Sequence, residues 1–343
     1  MKMTMEDEKE QPAIRVRNLQ KYFKVFKHHR GFWGALRNLI SREYQIIRAV
    51  DGIHFDIRPG ELVGYLGPNG AGKSTTIKML SGLLVPSGGE LYVLGRIPWK
   101  QRRKHVARIG TVFGQRTTLW WDLPVVESLN LLKYIYKIED RTFQKNLSEF
   151  KEILDLEPFL DIPVRSLSLG QRMRADLSAA LLHNPPVVFL DEPTIGLDVV
   201  AKERIRQFIQ HINVERKTTI ILTTHDVSDV ARLCKRVMII DHGHLIYDGL
   251  LEILQDRFGD DRELVVDFAE VYTDYSIEDA RISQADDLRI TYQFHRNEVT
   301  ASQLINRLSS KFRIRDLSVR EPEIEATIRR IYEEGLLEPD TEK

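Results

Sequence analysis

A glycine-rich segment at residues 67–75 limits the possible folds of this chain more than any other feature. It follows the apolar run Leu62–Leu66 and precedes Thr76–Leu80, whose pattern predicts a helix. Glycines let the backbone curl so that several N–H groups point at one anion, and the helix N-terminus adds partial positive charge. The segment therefore predicts a phosphate-binding loop, in which Lys73 neutralises phosphate oxygens and Ser74 supplies a hydroxyl to Mg²⁺. The loop consists of Gly67, Pro68, Asn69, Gly70, Ala71, Gly72, Lys73, Ser74 and Thr75.

A second apolar run ends in two acidic residues. Val187–Leu190 has the composition of a buried strand, and Asp191 and Glu192 follow it directly. Carboxylates at the carboxyl edge of a parallel sheet lie where α/β folds bind their ligands. Such a pair also occurs at an ordinary strand end, but beside a phosphate loop it predicts catalysis. Asp191 is expected to hold the Mg²⁺ shell, and Glu192 is expected to polarise a water for attack on the terminal phosphate.

A third segment predicts another anion-binding helix start. In residues 167–172, Ser168 is a candidate N-cap, and Met173, Leu177 and Leu181 continue at helical spacing. A serine, a glycine and free N–H groups at a helix start can bind an anion. Because the chain already has a phosphate loop, this second helix start is expected to serve the nucleotide of another subunit.

Together these segments resemble the nucleotide-binding domains of ABC transporters, from residue 14 to about residue 255. The motifs follow in the family's order: Walker A at 67–75, the Q-loop, the signature at 167–171, Walker B at 187–192, the D-loop at 196–198 and a switch histidine. The signature departs from the usual LSGGQ, because Leu169 occupies its third position, and this departure concerns only local packing. The resemblance implies an ATPase that uses ATP and Mg²⁺ and couples hydrolysis to transport.

The resemblance also implies roles for individual residues. Gln115 would complete the Mg²⁺ shell and link the nucleotide state to the membrane partner, and Asp198 would join two active sites. His225 would contact the γ-phosphate and the attacking water, so that the implied catalytic set is Lys73, Gln115, Glu192 and His225. Ser168 and Gly170 would touch the γ-phosphate held by the opposite subunit. The implied signature residues are Ser168, Leu169, Gly170 and Gln171.

An aromatic ring stacked on adenine is expected near the first strand. Alignment of residues 19–23 with the family favours Phe23 for this role, with Tyr22 as the second choice. The alternative is that one or both rings pack in the core, where aromatic residues are common.

The expected fold class is α/β, a P-loop NTPase of the ABC type. It comprises a RecA-like parallel sheet core, an antiparallel β subdomain, a helical subdomain at about 116–184 and a small C-terminal α+β module. The module is predicted as strand, strand, helix, strand and helix, at 262–269, 288–295, 301–312, 313–319 and 323–334. The predicted domains are a disordered lead at 1–12, the nucleotide-binding domain at 13–256, the C-terminal domain at 257–336 and a tail at 337–343.

Composition restricts the partners. Lysine plus arginine and aspartate plus glutamate both number 50, so the charge shows no basic excess of the kind that nucleic-acid binding usually leaves. The single cysteine, Cys234, excludes an internal disulfide and is expected to be a small buried apolar residue. No apolar run approaches the roughly 18 residues of a membrane-spanning helix. A chain of this kind would serve a membrane as a peripheral subunit, on the cytoplasmic face of the inner membrane.

One phosphate loop and one signature predict a head-to-tail dimer around two ATP molecules, formed with a second copy or a paralogous ATPase subunit. The chain resembles daunorubicin-resistance and viologen-exporter-type ATP-binding subunits at 48–82, 113–122 and 316–325, which implies separate membrane permeases. A lipid-linked polysaccharide exporter subunit shares the insert after the first strand and remains an alternative. A soluble non-transport ABC ATPase and a catalytically weak regulatory subunit are further alternatives. Lys73, Glu192 and His225 are all present, which disfavours the weak subunit.

Two surface hypotheses stay open. Residues 24–48 combine six cations and one acid with Phe32, Leu36, Leu39 and Ile40 at helical spacing, which predicts a basic amphipathic helix. One alternative is that this helix lies on the inner leaflet of the membrane or packs on a membrane subunit. The other is that it folds over the nucleotide domain. The pair Trp120–Trp121, which follows Gln115, is an interface anchor for the membrane subunit if exposed and ordinary core if buried.

Overall fold

The computed structural model describes residues 11–26, 44–114, 116–258, 261–295 and 298–320, together with residues 324, 327, 328 and 331. The chain divides into two compact units, the first ending at Asp248 and the second beginning at Gly249. The boundary expected from the sequence, between residues 256 and 257, lies inside the helix Leu251–Phe258. Much of the predicted amphipathic insert, residues 27–43, lies outside the described residues, as does Gln115.

The described residues of the first unit form two sheets. In chain order its strands are β1 (Ile14–Phe26), β2 (Tyr44–Ile57), β3 (Leu62–Leu66), β4 (Gly88–Val93), β5 (Ile109–Phe113), β6 (Val187–Asp191), β7 (Thr219–Thr223), β8 (Arg236–Asp241) and β9 (His244–Leu250). Strands β3, β6 and β7 are buried along their whole length, as expected for β-branched and apolar runs that are covered on both faces.

The larger sheet has the order β5-β6-β7-β3-β8-β9. The pairs β5–β6, β6–β7, β7–β3 and β3–β8 are parallel. The connection to β9 is a tight turn in which His242 and Gly243 both have positive φ, the conformation of a two-residue hairpin turn. Because the parallel strands end at one edge, the residues that follow β3, β5, β6 and β7 come together there.

The smaller sheet is antiparallel, with the order β2-β1-β4. Strand β1 pairs with β4 only as far as Gln20, whereas its pairing with β2 continues to Phe26. Both strands are therefore longer than the 14–18 and 46–57 expected from the sequence. Core side chains of this sheet, such as Val16 and Ile53, belong to the same buried cluster as Tyr65 of the larger sheet.

The helices of the first unit are α1 (Lys73–Leu80), α2 (Arg102–Val106), α3 (Val125–Tyr136), α4 (Asp140–Leu154), α5 (Leu169–Leu181), α6 (Val199–Arg216) and α7 (Val227–Leu233). Helices α3, α4 and α5, with short 3₁₀ turns at Glu157–Phe159 and Val164–Ser166, lie within the helical insert predicted at about 116–184. The sequence reasoning missed α2. Its five residues include three consecutive cations and only one apolar residue, so they show no helical periodicity.

The second unit contains α8 (Leu251–Phe258), β10 (Asp261–Phe268), β11 (Arg281–Asp286), β12 (Arg289–His295), α9 (Ala301–Lys311) and β13 (Ile314–Arg320). Its strands form an antiparallel sheet with the order β11-β12-β10-β13. Leu304 and Leu308 of α9 share a buried cluster with alternate residues of β10 and β12, as an amphipathic helix on a sheet requires. Of the predicted helix at 323–334, residues 324, 327, 328 and 331 are described and helical.

Candidate functional site

The phosphate loop lies between β3 and α1, pressed against two neighbouring strands. A Cβ atom on Gly67 would lie 2.4 Å from the carbonyl oxygen of Ile240. One on Gly72 would lie 2.4 Å from the carbonyl oxygen of Ala49, and Gly72 also has φ +114. A side chain would clash with the backbone at both positions, and the positive φ of Gly72 would strain any residue other than glycine. The sequence therefore needs these glycines so that the backbone can fold tightly enough to expose N–H groups at the start of α1.

Lys73 places a buried positive charge at this loop. Its side chain donates to the carbonyl oxygens of Gly67 at 2.5 Å and Pro68 at 3.0 Å. Burial lowers the pKa of Lys73, and the nearby carboxylates of Glu192 and Asp191 oppose that shift. Lys73 thus brings a buried ammonium group to the loop, where it can donate to the oxygens of a bound phosphate.

Asp191, at the end of β6, forms the second part of the site. Its Oδ1 atom accepts hydrogen bonds from Ser74 Oγ at 3.2 Å and Thr223 Oγ1 at 2.5 Å. A hydroxyl and a carboxylate at this distance fit a hydrated Mg²⁺ ion, which prefers one or two protein oxygens beside water and phosphate oxygens. Among the residues that the structure describes, no cluster of three or more histidine, cysteine or acidic side chains could hold a metal ion. The two protein oxygens of Ser74 and Asp191 match the small share of ligands that a protein supplies to a Mg²⁺ ion beside a nucleotide.

Glu192 and His225 stand together at the same edge. Glu192 has φ +55, a conformation that is uncommon for a residue with a side chain and concentrates at functional sites. Its N–H group donates to the Thr223 carbonyl oxygen at 3.0 Å, which ties it to the end of β7. His225 Nδ1 lies 3.5 Å from Glu192 Oε1. The two side chains can therefore act on one small molecule, such as a water, placed between them and the phosphate loop.

These residues line a single open cleft at the carboxyl ends of the strands. Of the predicted site residues, the cleft contains Asn69, Ser74, Asp191, Glu192 and His225. Sequence reasoning missed Arg116, which also lines it. The only signal for Arg116 is its position directly after the Q-loop glutamine. Gln115 itself lies outside the described residues.

The signature segment begins α5 with a reciprocal cap. Gln171 N–H donates to Ser168 Oγ at 3.2 Å, and Ser168 N–H donates to Gln171 Oε1 at 2.9 Å. A Cβ atom on Gly196 would lie 3.1 Å from Leu169 Cδ2, so Leu169 packs beside the D-loop. Within the part of the chain that the structure describes, none of the signature residues lines the cleft that contains Ser74 and Glu192.

Comparison with known proteins identifies the family. The model of the family "ABC transporter" matches residues 50–195. A linearmycin resistance ATP-binding protein, LnrL of Bacillus subtilis, is 30% identical over 294 residues, which cover 83% of this chain and 94% of that protein. The chain belongs to the ABC transporter family.

Two further comparisons agree. A Nod factor export ATP-binding protein of Ralstonia nicotianae is 36% identical over 236 residues, 68% of this chain and 71% of that protein. The dimeric, post-hydrolysis structure of the ATP-binding cassette MJ0796, bound to ADP and Pi, superposes with a TM-score of 0.58 at 27% identity, covering 69% of this chain and 98% of that one. The predicted family and fold class are confirmed, and the chain is an ABC transporter ATP-binding protein.

The D-loop of this nucleotide-binding domain ends at the cap of α6. The Asp198 side chain accepts a hydrogen bond from the Ala201 N–H group at 2.9 Å. The next two residues, Val199 and Val200, are 80% and 65% exposed. Two adjacent valines left in solvent at a helix start form a small apolar surface that a second protein surface can cover.

The two candidate adenine-stacking residues differ in their surroundings. The Tyr22 hydroxyl donates to Asp51 Oδ1 at 2.7 Å, and the Arg48 guanidinium lies 5.6 Å from the centre of its ring. Phe23 is 37% exposed, with Lys21 Nζ 5.2 Å from its ring centre. Tyr22 is thus held by the β1–β2 pair, whereas Phe23 presents a ring to a ligand. Phe23 stays the preferred prediction.

The tryptophan pair and the loop before it are anchored to α5. Trp120 and Trp121 are 39% and 50% exposed, so the core alternative is wrong for them. Asp176, which the sequence reasoning missed, accepts hydrogen bonds from Thr117 Oγ1 at 2.8 Å and the Thr118 N–H group at 2.9 Å. Burial raises the pKa of Asp176. This aspartate among the apolar residues of α5 fixes the segment that links the nucleotide cleft to the helical subdomain.

Proposed function

We propose that this chain is the ATP-hydrolysing subunit of an ABC exporter and works as a head-to-tail dimer around two Mg-ATP molecules. The observation that carries the proposal is the separation of the signature from the chain's own cleft. Ser168 caps a helix start beside the D-loop, while Ser74 and Glu192 lie in the cleft. A second subunit, either another copy or a paralogous ATPase subunit, would supply Ser168, Leu169, Gly170 and Gln171 to each cleft.

Within each cleft the side chains divide the work of phosphoryl transfer. The phosphate loop and Lys73 bind the phosphates, and Ser74 and Asp191 would hold Mg²⁺, with Gln115 completing its shell. The ion would neutralise charge on the bound phosphates. Glu192 orients and polarises the attacking water, and His225, 3.5 Å from it, contacts the γ-phosphate and the same water. Phe23 stacks on adenine, with Tyr22 beside it.

The relatives favour export. One of them is named for linearmycin resistance and another for Nod factor export. An exporter of a lipid-linked polysaccharide is the second candidate, since it shares the insert after β1. The balanced charge, with 50 cationic and 50 acidic residues, disfavours a soluble non-transport ABC ATPase that binds nucleic acid.

The transport path would belong to separate permease subunits. In the described part of the chain, no helix has both the length and the apolar character to span a bilayer. Trp120 and Trp121 are the exposed aromatic anchors that we assign to the permease contact. The chain would thus sit on the cytoplasmic face of the inner membrane, and ATP-driven closure of the dimer would move the permeases.

Subunit complementation tests this proposal. The Lys73→Met variant has a defective phosphate loop and an intact signature, and the Ser168→Arg variant has the reverse. Each alone should be inactive. A mixture should recover ATP hydrolysis, up to about one quarter of the wild-type rate, because half of the dimers then contain one complete composite site.

The matched control is a mixture of Ser168→Arg with Gly170→Asp. Both of these variants lack a signature, so no composite site can form and no activity should return. The proposal is wrong if the first mixture is as inactive as this control. Activity in either signature variant alone would also contradict it, because the site would then be complete within one chain.

A further inference from the structure

Helices α6 and α7 are joined by three ion pairs, which we call the α6–α7 clasp. Lys202 Nζ lies 2.6 Å from Asp226 Oδ2. Arg206 lies 2.5 Å from Asp229 Oδ1, and Arg232 NH1 lies 3.1 Å from Glu203 Oε2. On α6 the clasp residues are 202, 203 and 206, and on α7 they are 226, 229 and 232. Residues 202 and 203 lie four and three residues before 206, and 226, 229 and 232 follow at intervals of three, so each set lies on one side of its helix.

The clasp joins the beginnings of two helices that start at functional loops. Asp198 of the D-loop caps α6, and Lys202 is one turn further along. Asp226 caps α7 through hydrogen bonds to Ser228, and it follows His225 directly in the chain. The pair formed by Lys202 and Asp226 therefore connects the D-loop helix to the backbone that places His225.

The inner pair of the clasp also reaches the loop that follows Glu192. Asp229 is completely buried, and it accepts a hydrogen bond from the Thr194 hydroxyl. Arg206 Nε donates to the other oxygen of the same carboxylate at 2.6 Å. Thr194 is two residues after Glu192 and two before Gly196 of the D-loop. One carboxylate thus holds both the loop between Glu192 and the D-loop and the helix that begins there.

We propose that the α6–α7 clasp positions His225 and Glu192 relative to the D-loop, so that the two catalytic side chains follow the movement of Asp198. The clasp residues are positioning residues, because none of them lines the nucleotide cleft in the described part of the chain. The transmission of a second subunit's approach through Asp198 rests on the proposed dimer. A shift of one helix relative to the other would lengthen or break these pairs, two of which are partly or fully buried.

The pair between Lys202 and Asp226 allows the cleanest test, because both side chains are about one quarter exposed and their removal leaves no deeply buried charge. Lys202→Met should lower kcat for ATP hydrolysis about tenfold while KM for ATP stays within about twofold. The melting temperature should change by less than about 3 °C, because neither side chain of this pair is deeply buried. Lys202→Arg retains a donor and a charge and should restore most of kcat.

Arg204→Met is the matched control. Arg204 lies on the same helix and forms a comparable ion pair, 2.7 Å from Asp155 Oδ2, but on the side away from α7. This variant should keep the wild-type kcat. In a double-mutant cycle, Asp226→Asn should add little to the loss already caused by Lys202→Met, because both changes break one contact.

The outcomes separate this inference from the proposed function. Equal kcat values for Lys202→Met and Arg204→Met would overturn the clasp, as would a loss of kcat that a lower melting temperature fully explains. Additive losses in the double-mutant cycle would also overturn it. If the wild type and Arg204→Met themselves hydrolyse no ATP, the proposed function fails instead. A tenfold loss confined to Lys202→Met, with ATP affinity retained, supports the clasp.

Discussion

Gly114→Ala is the change whose effect the structure specifies most directly. Gly114 follows β5, and its N–H group donates to the Asp191 carbonyl oxygen at 2.8 Å. A Cβ atom at this position would lie 2.4 Å from the Glu192 carbonyl oxygen. Such contacts do not fall below about 3.0 Å in proteins, so the backbone at residue 114 and at Glu192 must separate by about 0.6 Å or more.

That displacement sets the expected magnitude. A misplacement of about 1 Å in a catalytic group can cost about a hundredfold in rate, so a shift of about 0.6 Å should lower kcat by between about tenfold and a hundredfold. ATP affinity should change by less than about threefold, because the phosphate loop between β3 and α1 is not displaced. Steady-state ATPase measurements, together with a fluorescent ATP analogue for affinity, separate the two effects.

Gly110→Ala supplies the control on the same strand. Its Cβ atom would lie 2.5 Å from the Ala180 carbonyl oxygen, an equally close contact at the other end of β5. Both variants should lose about 1–3 kcal/mol of stability through overpacking, but only Gly114→Ala should lose kcat per folded molecule. A normal kcat in folded Gly114→Ala, or an equal loss in Gly110→Ala, would refute the steric reasoning.

Three further predictions concern the first unit. Phe23→Ala should raise KM for ATP about tenfold, because the ring that stacks on adenine is lost. Tyr22→Phe retains a ring and should leave KM within about twofold of the wild type. Equal KM values for the two variants would reject Phe23 as the adenine contact. Burial lowers the pKa of His183 to about 4. As the pH falls, the unfolded chain therefore binds a proton at this histidine near pH 6.5, whereas the folded chain binds it only near pH 4. Stability should therefore fall by about 3 kcal/mol between these values, and His183→Gln should flatten this dependence in urea titrations; an unchanged slope would contradict the assignment. Asp229→Asn should cost about 3 kcal/mol of unfolding free energy, because the buried Arg206 would lose the buried carboxylate that faces it. A cost below about 1 kcal/mol would show that the pair is not needed for stability.

The sequence predicted the nucleotide-binding domain well, because its motifs are local and rigidly tied to secondary structure. The phosphate loop needs a strand before it and a helix after it, and both are present at β3 and α1. The buried run that ends in Asp191 could only be a strand of a covered sheet. The capping pair Ser168 and Gln171 likewise marked the start of α5, because a serine followed three residues later by glutamine is a local signal.

Features that depend on distant contacts were missed or misplaced. Strand β11 was not predicted, because all its side chains are exposed and its sequence does not alternate between apolar and polar residues. Its pairing with β12 depends on backbone hydrogen bonds, which the sequence does not reveal. The extensions of β1 and β2 were missed because their hydrogen-bond partners, in each other and at Ser87, are distant in sequence. Arg116 and Asp176 belong to no sequence motif. Arg116 reaches the cleft, and Asp176 binds the loop before the tryptophan pair, because α5 packs against β5.

The proposed dimer holds nucleotide between its two subunits. The most direct measurement is the sedimentation of the Glu192→Gln variant in saturating Mg-ATP, with Ser168→Arg added to the same chain as a comparison. Glu192→Gln should prevent hydrolysis without disturbing the phosphate loop, and the protein should sediment as a dimer with two bound ATP molecules. The double variant should stay monomeric with ATP bound. A Glu192→Gln chain that remains monomeric with ATP bound in its cleft, alone and beside its permease, would contradict the account.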